Sequence, residues 1–209
     1  MIKCCIFDMG GVIFRNFHVW PELTSFLGIN KKLSEIDPRL HAAMNQHGQG
    51  KISESDFWSL YTQISGNSLP PCETETLLGK FFHPTMDEAT VRIVEELKAA
   101  GNRVVIGTNT IDAHYKIHTQ LKQYAIFDKV YASHLMGISK PDPAFYSTIL
   151  EAEGISDAFG IRAEDAFFTD DMAVNVEAAA AMGIKAFLYS DASALREQLL
   201  SLGFILSSS

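Results

Sequence analysis

The sequence predicts an α/β protein: a parallel sheet flanked by helices, with a helical insertion after the first strand. Three observations lead there. The chain opens on a short apolar run closed by glycines. From about Asp87 onward, strand-like and helix-like segments alternate regularly. Between these stretches, residues 15–86 carry helical patterns and no convincing strand. A length of 209 residues suits one domain, or one domain with a modest insertion.

Taken in order, Ile2–Phe7 is apolar apart from Lys3 and stops at Asp8-Met9-Gly10-Gly11. Such a run reads as a strand buried on both faces. Residues 15–86 are punctuated by Pro21, Pro38, Pro70, Pro71 and Pro84. Within them Ser53–Ile64 reads as a helix whose Ser53 and Asp56 form a capping box, with Asp in place of the usual Glu. Asp87–Ala100 places Val91, Val94 and Leu97 at helical spacing, and Gly101 is its stop signal. Arg103–Ile106 is the next strand and Ile111–Gln123 a helix. Lys129–Ala132 is a short strand, and Pro143–Glu153 a helix followed by Gly154. Ala166–Phe168 is a strand, and Met172–Met182 an Ala-rich helix ended by Gly183. Lys185–Tyr189 and Ala192–Leu202 close the series as strand and helix. Strands alternating with helices of roughly 10–15 residues mean βαβ units with right-handed crossovers. The expected division is a core of 1–14 and 87–209 around an insertion of 15–86. The Ser207-Ser208-Ser209 tail is expected to fray.

Charge and composition narrow the function classes. The formal net charge is −8, from 17 Lys+Arg against 25 Asp+Glu, with 47% hydrophobic residues. The acidic balance argues against nucleic acid and anionic membranes, because both demand a basic patch. The cysteines are Cys4, Cys5 and Cys72, an odd count with no C-x-x-C spacing. Cys4 and Cys5 are adjacent in a strand and point to opposite faces, so they read as buried thiols of a reducing compartment. No apolar run reaches the ~18 residues of a membrane span. Asp8 interrupts any signal-peptide core. The chain reads as cytoplasmic, and nothing in it signals an oligomeric state.

The familiar phosphate loops are missing. Gly48-Gln49-Gly50-Lys51 has the wrong spacing for a P-loop and reads as a surface turn. The ends of the strands are more informative. The first strand ends in Asp8 and the second in Thr108-Asn109. Lys140 follows the third, and the fourth ends in Asp170-Asp171. Parallel sheets bind ligands at the carboxyl ends of their strands. Two adjacent carboxylates on a buried strand also need a cation to compensate them. The chemistry these groups suit is phosphoryl transfer. Asp8 can attack phosphorus. The N–H groups of Met9 and Gly10, together with Thr108 and Asn109, can bind phosphoryl oxygens. Lys140 can neutralise charge. Asp8, Asp170 and Asp171 can hold Mg²⁺.

Four segments carry a resemblance: Phe7-Asp8-Met9-Gly10-Gly11-Val12, Val104 to Asn109, Ser139-Lys140-Pro141-Asp142 and Phe167-Phe168-Thr169-Asp170-Asp171. Together they resemble the haloacid-dehalogenase-like superfamily of aspartate-nucleophile hydrolases. The resemblance implies a Rossmann-like core over which residues 15–86 close as a small helical cap. It implies a small-molecule phosphate substrate, an aspartyl-phosphate intermediate and Mg²⁺. The metal would be held by Asp8, the main-chain carbonyl of Gly10 and Asp171, with Asp170 a ligand or directly behind one. Asn175 falls where an acidic or amide residue supports the fourth segment. The D-x-G-G-V opening, S-K-P-D-P-x-x-Y and Gly50-Lys51-Ile52-Ser53 resemble the bacterial α-D-glucose-1-phosphate phosphatase branch, which implies a sugar phosphate.

One position departs. Most phosphatases of this kind carry a second Asp two residues after the nucleophile, as general acid–base; here it is Gly10. Such a group is worth roughly 10²–10⁴-fold. His47, read as lying in an exposed turn, is the candidate replacement. Two other readings stay open: a 2-haloacid dehalogenase, which the Asp170-Asp171 pair disfavours, and a weakly active or inactive phosphate-binding protein. Trp20, His41, His47, Trp58 and Tyr61 read as cap core ahead of sugar contacts.

Overall fold

A computed structural model describes residues 2–29, 31–70, 76–155, 160 and 162–206. Pro71, Cys72 and the three terminal serines lie outside them. The chain begins with strand β1 (Cys4–Phe7) and a two-residue strand β2 (Phe14–Arg15). Five helices follow: α1 (Trp20–Phe26), α2 (Leu33–Ile36), α3 (Pro38–Gly48), α4 (Glu54–Ser65) and α5 (Leu77–Lys80). Then come β3 (Thr85–Met86), α6 (Glu88–Ala99), β4 (Arg103–Thr108), α7 (Asp112–Gln120), β5 (Lys129–Ala132) and α8 (Ser133–Met136). The chain continues through α9 (Pro143–Ala152), β6 (Ala166–Asp170), α10 (Ala173–Ala181), β7 (Lys185–Leu188) and α11 (Ala192–Ser201).

The main sheet has the order β5-β4-β1-β6-β7 and is parallel throughout. β1 takes the centre because all four of its side chains are apolar and buried. Alternation along the strands divides the core in two. Cys5, Phe7, Val104, Ile106 and Phe167 face one apolar layer, which includes residues of α6 and α11. Cys4, Ile6, Val105 and Phe168 face the other, with residues of α9. The two thiols are buried, as expected from the sequence. Burial pushes Cys4 up to about 12 and Cys5 higher still, so neither offers a thiolate near neutrality.

Between β2 and β3, helices α1–α5 have an apolar cluster of their own, built on Leu23, Leu40, Phe57, Tyr61 and Leu78. The capping box at α4 forms as read: Asp56 N–H donates to Ser53 Oγ at 3.1 Å, and Ser53 N–H to Asp56 Oδ2 at 2.9 Å. The expectation that 15–86 lacks strands needs correction. β2 and β3 pair antiparallel, Phe14 with Met86 and Arg15 with Thr85. Two-residue strands are too short to leave a periodic signal. The Arg15–Asp87 ion pair at 3.0 Å closes the same ribbon. Among the described residues no helix is long and apolar enough to cross a membrane.

His114 on α7 joins this helical segment to the sheet. Its ring stacks on Phe82 at 3.7 Å, and Nε2 lies 3.1 Å from the carbonyl of Leu78. Burial depresses its pKa to about 4. The unfolded chain titrates its histidines near 6.5, so the folded pKa is the lower one. The stability tied to neutral His114 is therefore complete above pH ~6.5 and is lost as pH falls through about 4. Between pH 7 and 4 the wild type should lose roughly 2–3 kcal/mol more than His114→Phe. Urea midpoints at the two pH values check this, and equal losses would show that His114 takes up its proton freely.

Candidate active site

Four loops at the carboxyl edge of the sheet converge. β1 delivers Asp8, whose backbone N–H donates to Thr169 O at 2.9 Å, so the neighbouring strand fixes its height. β4 delivers Thr108, which is buried. Lys140 is only 4% exposed, and its Nζ donates to Asp8 Oδ1 and to Asp170 Oδ2, both at 2.6 Å. β6 delivers Asp170 in full burial and Asp171 at the surface. Asp8, Asp170 and Asp171 each offer an oxygen within 4.8 Å of the others.

Asp170 is already well supplied with donors. Its Oδ1 accepts from the Met172 N–H at 2.8 Å and Asn175 Nδ2 at 3.0 Å, while Oδ2 accepts from Lys140 and Asn175. Asn175 is buried, and the Tyr146 hydroxyl donates to its carbonyl at 2.8 Å, which anchors α10 beneath the site. Asn109 works differently from its sequence reading. Its carboxamide bonds both sides of the Lys140 main chain: Nδ2 to the carbonyl at 2.9 Å, and Oδ1 from the N–H at 2.9 Å. The side chain therefore holds Lys140 in place, leaving its own backbone for any ligand.

The electrostatics are unbalanced in one direction. Burial raises the Asp8 carboxyl to about 6, against the opposing pull of Lys140. Burial and the neighbouring Asp170 also raise Asp171. Burial opposes the Lys140 ammonium, but Asp8 and Asp170 hold its pKa above the ordinary lysine value. Three carboxylates against one ammonium leave an excess of negative charge that a hard divalent cation would balance.

Gly11 keeps that cluster together. Its φ is +77°, and a Cβ there would land on the carboxylate of Asp171, closer than real atoms approach. Gly11→Ala should therefore displace Asp171 and cost about 1–2 kcal/mol from backbone strain. The measurable outcome is at least a tenfold loss of Mg²⁺ affinity by calorimetry, and unchanged affinity would remove Asp171 from the metal set.

A crevice of about 500 Å³ opens beside Lys140 and Asn109. Trp20, Met44 and Leu78 line it from the helical segment. Besides the His114–Leu78 contact, two hydrogen bonds fasten the end of α3 and the turn after it to the sheet side. Ser133 Oγ donates to Gly48 O at 2.6 Å, and Gln49 Nε2 donates to Ser139 Oγ at 2.9 Å. The Gly48–Lys51 segment is a surface turn as read, with Gly50 and Lys51 exposed, and these two bonds dock its first half. Gly50 has φ +66°, and a Cβ would strike the carbonyl of His134.

His47 also differs from expectation. It sits in the last turn of α3, on the same inward face as Leu40 and Ala43, and is buried. Its Nδ1 lies 3.1 Å from Ile52 O, and it lines a separate pocket with Asp112 and His134. It is therefore no proton donor for the crevice. Trp58 and Tyr61 belong to the apolar cluster of the helices, whereas Trp20 lines the crevice and His41 a neighbouring groove. Gln49, Ser133 and Met44 escaped the sequence reading. Only the docking of α3 reveals them, although Ser139 stands next to Lys140 in the chain.

A sequence model of the haloacid dehalogenase-like hydrolases matches residues 2–183. The chain belongs to this family. As a haloacid dehalogenase-like hydrolase it is an enzyme, and its five-stranded parallel sheet with surrounding helices is the family's Rossmann-like fold. It is 30% identical over 200 residues to the sesquiterpene phosphatase astK of Aspergillus oryzae, covering 92% of each chain. It is 29% identical over 133 residues to the GMP/IMP nucleotidase YrfG of Escherichia coli, covering 62% of this chain and 53% of that protein. Among solved structures, it resembles a haloacid dehalogenase family enzyme of Bacteroides thetaiotaomicron determined with magnesium and inorganic phosphate. The TM-score is 0.71 at 23% identity, over 93% of this chain and 99% of that one.

Proposed function

We propose that this hydrolase is a Mg²⁺-dependent phosphomonoesterase acting on a small metabolite through an aspartyl-phosphate. One observation carries the reading: buried Lys140 bridges Asp8 and Asp170 at 2.6 Å, while Asp171 faces the same carboxylates. Asp8 supplies a carboxylate oxygen to phosphorus, and the P–O bond to the alcohol breaks. Water then attacks the phosphorus, releasing phosphate and restoring Asp8. Lys140 offsets charge on nucleophile and phosphoryl group in both steps. Thr108, together with the main-chain N–H groups of Met9, Gly10 and Asn109, supplies donors to the phosphoryl oxygens. Asp8, Asp171 and the Gly10 carbonyl would hold the cation, with Asp170 saturated behind them by Lys140, Met172 and Asn175. When bound, Mg²⁺ supplies charge neutralisation between an anionic nucleophile and an anionic target.

In this reading residues 15–86 are a cap over the crevice, which is supported by the shared lining of Trp20, Met44 and Lys140. The phosphatase and nucleotidase names of the relatives support phosphate ester hydrolysis. The motif likeness to glucose-1-phosphate phosphatases supports a sugar-sized substrate, and buried Cys4 and Cys5 support a cytoplasmic setting. The crowd of carboxylates argues against a dehalogenase, since they would repel a carboxylate substrate.

Gly10 leaves the leaving group without a dedicated acid. The space a Cβ would take there is bounded by Phe14 and Phe17, 3.7–3.8 Å away, neither of which carries a proton to give. Esters with good leaving groups are therefore expected to react faster, p-nitrophenyl phosphate over an alkyl phosphate by roughly 10²-fold. Phosphate release from both, with and without EDTA, tests the proposal. Turnover indifferent to EDTA, or none on any phosphate by folded protein, would remove it.

A further inference from the structure

Lys140 is the only charged side chain among the described residues that line the crevice. It is committed to Asp8 and Asp170. One wall of the crevice is apolar, made by Val19, Trp20, Met44, Leu78 and Ile111. The polar part of the lining is amide and hydroxyl, as in Asn45, Gln49 and Ser139. His114 also lines it but brings no positive charge, because burial keeps its ring neutral down to about pH 4. Arg15 is outside the described lining, donates to Gly11 O and pairs with Asp87. Lys31 and Lys32 belong to a neighbouring groove and stand exposed to solvent.

We infer that the crevice is selective for monophosphates of uncharged alcohols with an apolar face, and that it rejects substrates carrying a second anion. The inference rests on the phosphomonoesterase reading and adds its substrate class. The physical reason is a difference in desolvation. A hydroxyl or ring carbon entering the crevice meets amides, hydroxyls and apolar side chains that suit it. A carboxylate or second phosphate loses its water and finds no cation on the described lining beyond the committed Lys140; Lys51, outside that lining, is exposed and its Nζ donates to Gln49 Oε1 at 2.7 Å. Discrimination of this kind comes from the unfavourable partner as much as from the favourable one.

Matched substrate pairs test it. Glycerol 3-phosphate differs from 3-phosphoglycerate by a carboxylate, and a hexose 6-phosphate from the 1,6-bisphosphate by one phosphate. The uncharged-alcohol member of each pair should have the higher kcat/KM, by on the order of 10²-fold. Met44→Lys and Asn45→Lys place a cation on the rim of the crevice from α3, at side chains that are not fully buried. Each should narrow the ratio at least tenfold by raising kcat/KM for the anionic member. Equal rates within the pairs overturn the inference. So does a preference for the anionic member, whether or not it depends on Lys31 and Lys32. p-Nitrophenyl phosphate separates the two readings. Metal-dependent turnover of it without discrimination in the pairs defeats the selectivity alone, whereas its absence defeats the phosphatase reading and this one together.

Discussion

If Asp8 is the nucleophile proposed above, Asp8→Asn is expected to lower phosphate release by roughly 10⁴-fold or more, because such a group acts as a unit with its neighbours. The fold should survive. The asparagine keeps an oxygen for Lys140, which in the wild type lies 2.6 Å from Asp8 Oδ1. The substitution also removes a carboxylate that burial disfavours. The folded pKa of Asp8, about 6, is above its unfolded value of ~3.9. The group therefore favours the fold at low pH, and that advantage disappears as pH rises through about 6. Asparagine carries no such charge, so the variant should melt within a few degrees of the wild type at pH 7.5. Phosphate release and a thermal melt on the same sample check both halves. Turnover within tenfold of wild type would place the nucleophile elsewhere.

Lys140→Met should have the largest effect on stability. It leaves Asp8 and Asp170 facing each other in a buried site with no ammonium between them. Breaking a buried ion pair from one side costs about 3–5 kcal/mol. For a chain of this size that lowers Tm by on the order of 10 °C. The loss should depend on pH in a definite direction. Without Lys140 the Asp8 carboxyl rises further above its unfolded value, so the penalty is greatest above neutrality. It shrinks as pH falls and Asp8 takes up its proton. Melts at pH 5 and 8 read this out, and Mg²⁺ should recover part of the loss at pH 8. A variant as stable as the wild type at pH 8 would mean that the pair is solvated and the site far more open.

Much of this was legible in the sequence for physical reasons that can be named. A strand at the centre of a parallel sheet must be apolar throughout, so Asp8 after Cys4–Phe7 stood out at once. The same reasoning exposed Asp170 after Phe167 and Phe168, and Thr108 after Val104–Ile106. Lys140 could be assigned to them because a cluster of carboxylates requires a cation. What escaped depends on how separate parts dock. The pairing of Phe14 with Met86 joins segments with no local signal. His47 changed from an exposed turn residue to a buried one because α3 continues through it to Gly48 and puts it on the face of Leu40 and Ala43. The use of Asn109 to hold Lys140 follows from two loops meeting at 2.9 Å, which spacing along the chain does not encode.

The central position of β1 has a consequence for how the enzyme comes into being. β1 precedes both of its sheet neighbours in the chain, and they begin at Arg103 and Ala166. One edge of this apolar strand stays bare until β4 has emerged and the other until β6 has, the state in which strands pair wrongly. Asp8 meets Lys140 across 132 residues of chain and is flanked by β6 only after that. The nascent chain therefore carries Asp8 well before Lys140 and β6, and the site around Asp8 can form only once both have been made. Shielding of β1 during synthesis should matter more for yield than the stability of the finished fold.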